Sequence, residues 1–212
     1  RTYIDPNRHV GDVDLAMIEG EWPHAYEPSG KARIGKSLIW RTLDDGRPIY
    51  NRKLSVDEVH QRIQRYALPY QAQLQKLINE HHQQFGVCYH INCHSMSAVS
   101  GKMGEGGAGI ARADVVLGDR DGTTCSAEFT HLVKDFMQQC GYEVKINDPF
   151  KGVELVRAFS NPSQGKHSLQ IELNKRLYTD ASGRDKGPGY DKLNQDLIAL
   201  TALLADFSKH KI

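Results

Sequence analysis

No stretch of this 212-residue sequence approaches the ~18–20 consecutive apolar residues of a membrane-spanning helix, and no basic-then-apolar leader opens it. Cysteine is scarce. Cys88, Cys93, Cys125 and Cys140 form neither a CxxC pair nor a framework spacing, so they read as reduced, mostly buried thiols suited to the cytoplasm. Excess charge of one sign is lacking too: 27 basic and 26 acidic side chains leave a net charge of +1. That balance gives no global pull toward nucleic acid or an anionic membrane, and a small-molecule partner fits it better. There is no internal repeat and no low-complexity tract. Two catalytic signatures are missing as well. The glycine-rich stretch 101–109 lacks the Lys-Ser/Thr ending of a phosphate loop, and Ser95 is not in a GxSxG elbow. Cys93 and His94 are neighbours on an extended run, so they point to opposite faces and make no thiol–imidazole pair.

What is present supports a packed core: 39% of residues are hydrophobic and 25% charged, a balance that suits a single domain over residues 1–212. From Val10 to about Pro48 the chain is rich in Gly, Pro and charge, and reads as an irregular excursion with a short strand at Ser37–Trp40. Ser55 followed by Glu58 is a capping-box pattern, and Val56, Val59, Ile63, Tyr66, Leu74, Leu77 and Ile78 continue at helical spacing. Pro69 should kink or divide that helix, and Gly86 should end it. Val87–Asn92 reads as a buried central strand leading directly to Cys93-His94-Ser95. Asp114–Leu117, Tyr142–Ile146 and Ser168–Leu173 read as further strands, with helices over Cys125–Gln139 and Asp191–Phe207. Strands alternating with helices predict an α/β fold with a mixed, largely parallel sheet flanked by helices.

In such folds ligand sites gather beyond the C-terminal ends of strands, where Asn7-Arg8, His94-Ser95 and Asp119-Arg120-Asp121 fall. His94 has two readings, a hydrogen-bonded core imidazole or a metal ligand. Glu172 sits between Ile171 and Leu173, where a glutamate is either paired and buried or turned to solvent by alternation beside Gln170; a buried one suits general-base work. Arg8 with Asn7 has the donors to grip a carboxylate or to serve an ordinary polar loop. His24 and Glu27 have HxxE spacing but lie in the irregular segment, and His81-His82 ends a helix; both are set aside as decoys.

The wording and order of seven segments point further. Ile4-Asp-Pro-Asn-Arg8, Leu43-Asp-Asp-Gly-Arg-Pro-Ile-Tyr50, Leu68-Pro-Tyr70, Ile91-Asn-Cys-His-Ser-Met96, Leu117-Gly-Asp-Arg-Asp-Gly122, Asn147-Asp-Pro-Phe-Lys-Gly152 and Leu169-Gln-Ile-Glu-Leu173 occur in that order. The chain thereby resembles the N-formylglutamate amidohydrolase family over nearly its whole length. The resemblance implies a zinc carboxypeptidase-like fold and removal of formate from N-formyl-L-glutamate, a late step of histidine degradation. It further implies His94 as a zinc ligand, Glu172 as general base, Asn7 and Arg8 as the grip on the substrate carboxylate, and Arg157 as a contact for a second one. The family's other two zinc ligands, a His and an acidic residue, precede the Asn-Arg motif; they and a first strand and helix are expected upstream of Arg1. Gln71 stands where the family typically shows His. Two other expectations compete: an amidase or peptidase for other N-acyl amino acids, and an inactive member serving as a binding domain. The glycine-rich 101–109 stretch reads as a mobile loop, and the sequence leaves open whether it closes over substrate.

Overall fold

The computed structural model describes residues 1–102 and 107–211. The chain forms two compact units, Arg1–Leu77 with Gly101–Ala108, and Ile78–Ser100 with Gly109–Ile212. The glycine-rich stretch 101–109 lies in part outside the described residues.

In the first unit regular structure is sparse, as the composition of residues 10–48 suggested. A 3-10 turn at Leu15–Met17, capped by Asp14 accepting from the Ala16 N–H, leads into β1 (Ile18–Glu19), which pairs in parallel with β2 (Leu54–Ser55). The strand expected at Ser37–Trp40 is not formed; a single bridge joins Lys36 to Trp40. Ser37, Leu38 and Ile39 are apolar or buried because they fill the core of this unit, with Val13, Met17, Ile18, Leu54, Val59 and Ile63. The Leu38 N–H donates to Asp12 and its carbonyl accepts from Asp5, so the backbone is satisfied without a ladder.

Helix α1 (Val56–Arg62) starts where expected, with the Ser55 hydroxyl accepting from the Glu58 N–H. Only half of the capping box forms, because the Glu58 carboxylate instead takes Arg52 and Arg62. A π-helical turn at Ile63–Ala67 then widens the coil before α2 (Leu68–Phe85). Pro69 explains it. Proline brings no N–H for the carbonyl four residues back and its ring crowds that carbonyl, and a wider turn relieves both problems.

The second unit holds a four-stranded sheet in the order β3-β6-β4-β5: β3 is Cys88–Met96, β4 Val115–Gly118, β5 Val144–Ile146 and β6 Lys166–Asn174. The β3/β6 and β4/β5 pairs are parallel and β4/β6 is antiparallel, so the sheet is mixed and largely parallel, as predicted. Helices α3 (Ala127–Gln139), α4 (Glu154–Ala158) and α5 (Tyr190–Lys209) complete the unit. Ser126 caps α3 by accepting from the Phe129 N–H, and Gly141, at φ +94°, follows its end. Leu169, Ile171, Val115 and Leu117 of the sheet share one core with Phe129, Val133 and Met137 of α3 and Leu193 and Leu200 of α5.

The sequence reading of residues 87–92 is corrected in two respects. The strand runs on to Met96, so His94 lies within it, and among the described residues it is an edge strand, not a central one. The reason is that sheet neighbours are set by long-range pairing: the half-polar alternation of His90, Asn92 and His94 recurs on the central β6 as Ser168, Gln170 and Glu172, so it does not tell an edge from a centre. Among the described residues no helix is long and apolar enough to cross a membrane.

Gly118 closes β4 under the backbone of the 147–152 loop. A Cβ built there would lie 2.8 Å from both Gly152 N and Lys151 C. Backbone cannot yield as a flexible side chain does, so Gly118→Ala should destabilise the fold by about 1–3 kcal/mol in urea unfolding. A variant as stable as the parent would show that the loop moves away without penalty.

Candidate active site

Parallel pairing fixes which side chains share a face. In the β3/β6 register His90 stands opposite Ser168, Asn92 opposite Gln170, and His94 opposite Glu172. Because side chains alternate with period two, these three polar pairs form one row. The intervening pairs, Tyr89/His167, Ile91/Leu169 and Cys93/Ile171, face the other way. On β4, Val116 stands beside Glu172 and Gly118 beside Gln170.

The row is buried. Glu172 is 6% exposed and the His94 side chain 8%. His94 Nδ1 lies 3.4 Å from Glu172 Oε1, and the same oxygen accepts a 3.0 Å hydrogen bond from Gln170 Nε2. The Gln170 carbonyl in turn accepts from the Val153 N–H at 2.9 Å, so the amide is fixed at both ends. One row step away, His90 Nδ1 and Ser168 Oγ are 2.7 Å apart. The exception is Asn92, whose Nδ2 is buried and has no partner among the described residues. A row of largely buried polar groups is costly unless paired, and this face is the candidate site.

Of the residues singled out in the sequence, the structure thus brings His94 and Glu172 together. Asn7 and Arg8 lie in the first unit. Asn7 donates to Asp5 Oδ1 through N and Nδ2; Arg8 donates through Nε to the Lys36 carbonyl at 3.2 Å. Gln71, where the resemblance leads one to expect His, reaches the Arg8 carbonyl at 3.5 Å. Arg157 is more than half exposed, and its guanidinium is forked onto Glu154 of its own helix through Nε and Nη2. The HxxE pair does not converge. His24 stacks on His60 with ring centres 4.7 Å apart, while Glu27 lies 3.6 Å from His9. His82 anchors to the Gln164 carbonyl. Asp119 is a loop brace: it accepts from Gly122 N, Asn147 Nδ2 and Thr130 Oγ1.

Sequence reasoning missed Gln170, His90 and Asn92. The signal for all three was the two-residue spacing with Glu172 or His94. It also missed Arg112, a buried guanidinium 4.8 Å over the Phe150 ring, which carries no local signature.

Comparison with known proteins bears on this arrangement. A family model described as N-formylglutamate amidohydrolase matches residues 1–179. An N-formylglutamate deformylase of Pseudomonas putida is 24% identical over 142 residues, 66% of this chain and 52% of the relative, and that of Pseudomonas aeruginosa is 25% identical with the same coverage. The chain therefore spans about half the length of the curated relatives it matches. A crystal structure of N-formylglutamate amidohydrolase from Ralstonia eutropha superimposes on the whole chain and 75% of its own length, with a TM-score of 0.91 and 41% identity. A gene product of Agrobacterium tumefaciens shares the fold at 15% identity, with a TM-score of 0.59 over 97% of this chain and 68% of its own.

His90 yields a pH prediction. Burial holds its imidazole below the ordinary value of 6.5. The unfolded chain then takes up a proton at higher pH than the folded one, so this contribution to stability is complete above that value and is lost as the pH falls below it. Melting temperature should be level from about pH 8 to 7 and fall from about pH 6.5 to 5. His90→Gln should flatten part of that fall, and an unchanged slope would remove His90 as a source.

Proposed function

The chain belongs to the N-formylglutamate amidohydrolase family, and from that premise we propose that it serves to hydrolyse the formyl amide of N-formyl-L-glutamate to formate and L-glutamate. The observation that carries this reading is the buried pairing of His94 with Glu172 across β3 and β6. Hydrolysis places a water oxygen on the formyl carbon, breaks the C–N bond and delivers a proton to the departing amine. Glu172 has the chemistry for both proton transfers. Its contacts with His94 and Gln170 both fall on Oε1, so Oε2 is the oxygen left to take the proton from water and return it to nitrogen. Gln170, locked by Val153, keeps the carboxylate from rotating.

Family membership also brings zinc into the proposal. A bound zinc polarises a carbonyl and lowers the pKa of water it holds. His94 fits in kind as one ligand, since imidazole nitrogen is a common zinc donor. The fit stops there. Catalytic zinc usually takes three protein ligands, and among the described residues no three His, Cys, Asp or Glu side chains are grouped to hold a metal. A loaded site needs ligands beyond those described.

Asn7 and Arg8 are proposed to hold the substrate carboxylate. Arg8 is bonded through Nε, and among the described residues its Nη edge makes no hydrogen bond, which leaves the fork geometry that suits a carboxylate. Arg157 would have to release Glu154 before it could take a second one.

Formate release from N-formyl-L-glutamate tests the base. Glu172→Gln should keep the fold and lower turnover by roughly 10²–10⁴-fold, the usual worth of a positioned acid–base group; an active variant removes Glu172 from that role. Arg8→Ala should raise KM for N-formyl-L-glutamate far more than for an uncharged formyl amide, with kcat less affected. Equal losses on both substrates would dismiss Arg8 as the anchor.

A further inference from the structure

Asp5 is the most completely occupied carboxylate of the first unit. It is 1% exposed. Its Oδ1 accepts from Asn7 N at 3.1 Å and Asn7 Nδ2 at 2.9 Å. Its Oδ2 accepts from Trp40 Nε1 at 3.1 Å and lies 3.8 Å from Nε of both Arg8 and Arg1. The Asp5 main chain joins in, its N–H donating to Leu38 and its carbonyl accepting from the Arg8 N–H. One carboxylate thus touches Asn7 and Arg8 at once, and the loop that carries them has no sheet ladder to hold it.

We infer that Asp5 is the positioning residue of the Asn7–Arg8 carboxylate anchor, an inference that rests on the reading of that pair given above. A buried carboxylate needs a compensating charge, and Arg8 supplies it with its Nε edge. The guanidinium is planar, so fixing Nε against Asp5 and the Lys36 carbonyl also fixes where the two Nη groups point. Asn7 is held in the same way through Nδ2. Local charge agrees with the assignment. Arg1, Arg8 and Lys36 stand against Asp5 and Asp44, which leaves one positive charge, the complement of a single ligand carboxylate. Trp40 completes the support, its indole lying under the Lys36 ammonium (4.9 Å) and the Arg1 guanidinium (5.3 Å). Asp5 therefore acts through Arg8 and Asn7 and does not itself meet substrate. Its contribution is that the anchor is ordered before the ligand arrives, which removes an ordering penalty from binding.

The test is calorimetric titration of the protein with L-glutamate and with its diamide, which has no carboxylate, and it requires no turnover. The parent should prefer L-glutamate. Asp5→Asn keeps size and shape but removes the charge, and should weaken L-glutamate binding about tenfold while hardly changing the diamide. Arg8→Ala should lose the preference, and Asp5→Asn/Arg8→Ala should be no weaker than Arg8→Ala alone, since Asp5 works only through that side chain. Circular dichroism checks the fold. If Asp5→Asn does not fold, Asp5→Glu, which retains the charge and shifts the carboxylate by one methylene, should show the same coupling to Arg8. A parent that does not discriminate between the two ligands overturns the anchor and this inference with it. A parent that discriminates, with an Asp5 variant that binds as well or whose loss adds to that of Arg8→Ala, leaves the anchor standing and overturns the role of Asp5.

Discussion

The parallel register of β3 on β6 is the constraint on which the second unit depends. Because side chains alternate along both strands, a slip of one residue would send His94 and Glu172 to opposite faces of the sheet. The site itself cannot hold that register, since burying a polar row is unfavourable until every partner is in place. The opposite face holds it. Ile91, Leu169 and Ile171 alternate with the polar row, and Leu169 and Ile171 pack against Phe129 and Val133. Apolar burial on one side of the sheet therefore sets the geometry on the other, where the proposed chemistry lies.

The first unit solves a different problem. Its backbone runs for some forty residues with almost no ladder hydrogen bonds, so side chains must satisfy it. Buried acids do so at three points. Asp12 accepts from Ser29 N and Oγ, Asp14 from Ala16 N and Arg41 Nε, and Asp5 from Asn7 and Trp40. Arg62 is the counterpart among the bases. It donates to the Tyr3 carbonyl, the Tyr50 hydroxyl and the Glu58 carboxylate, and its guanidinium lies 4.2 Å over the Tyr3 ring. Each of these ties residues far apart in sequence, and each would leave a buried charge stranded if its partner were removed. An irregular segment held this way is specific without being regular.

How much of this could be read in the sequence follows from the range of the forces involved. Helix starts and stops are local, and Ser55, Ser126, Gly86 and Gly141 act where their chemistry placed them. The strands of the second unit were legible from short apolar runs. The edge position of β3 was not, because neighbours in a sheet are a long-range property. Glu172 was ambiguous for a related reason: alternation says that it shares a face with Gln170, and only the β3 partner shows that this face is buried. The row His90, Asn92, His94 was in plain view at a spacing of two, yet without β6 opposite it had no meaning. Asp5 had no signal at all, since its decisive partners are the Trp40 indole and Arg8, which is itself placed by the Lys36 carbonyl. The strand expected at Ser37–Trp40 failed on the same ground: apolar residues mark burial, and burial does not require a ladder.

What separates a base from a structural ion pair is how its oxygens are used. A carboxylate retained for stability in a buried site is best served by engaging both oxygens, because an unsatisfied buried acceptor weakens the fold by about 1–3 kcal/mol. Asp5 and Asp12 follow that rule, with partners on Oδ1 and Oδ2 alike. Glu172 is a different case, since its Oε2 is not among the buried atoms left without a partner. Its neighbours His94 and Gln170 crowd onto Oε1, although a glutamine has a second N–H and the row has other donors. Evenly shared contacts would make His94 and Glu172 one more brace in a polar sheet face. Their lopsided geometry holds the carboxylate by one oxygen, which is the arrangement that the proposed role of base requires and a brace does not.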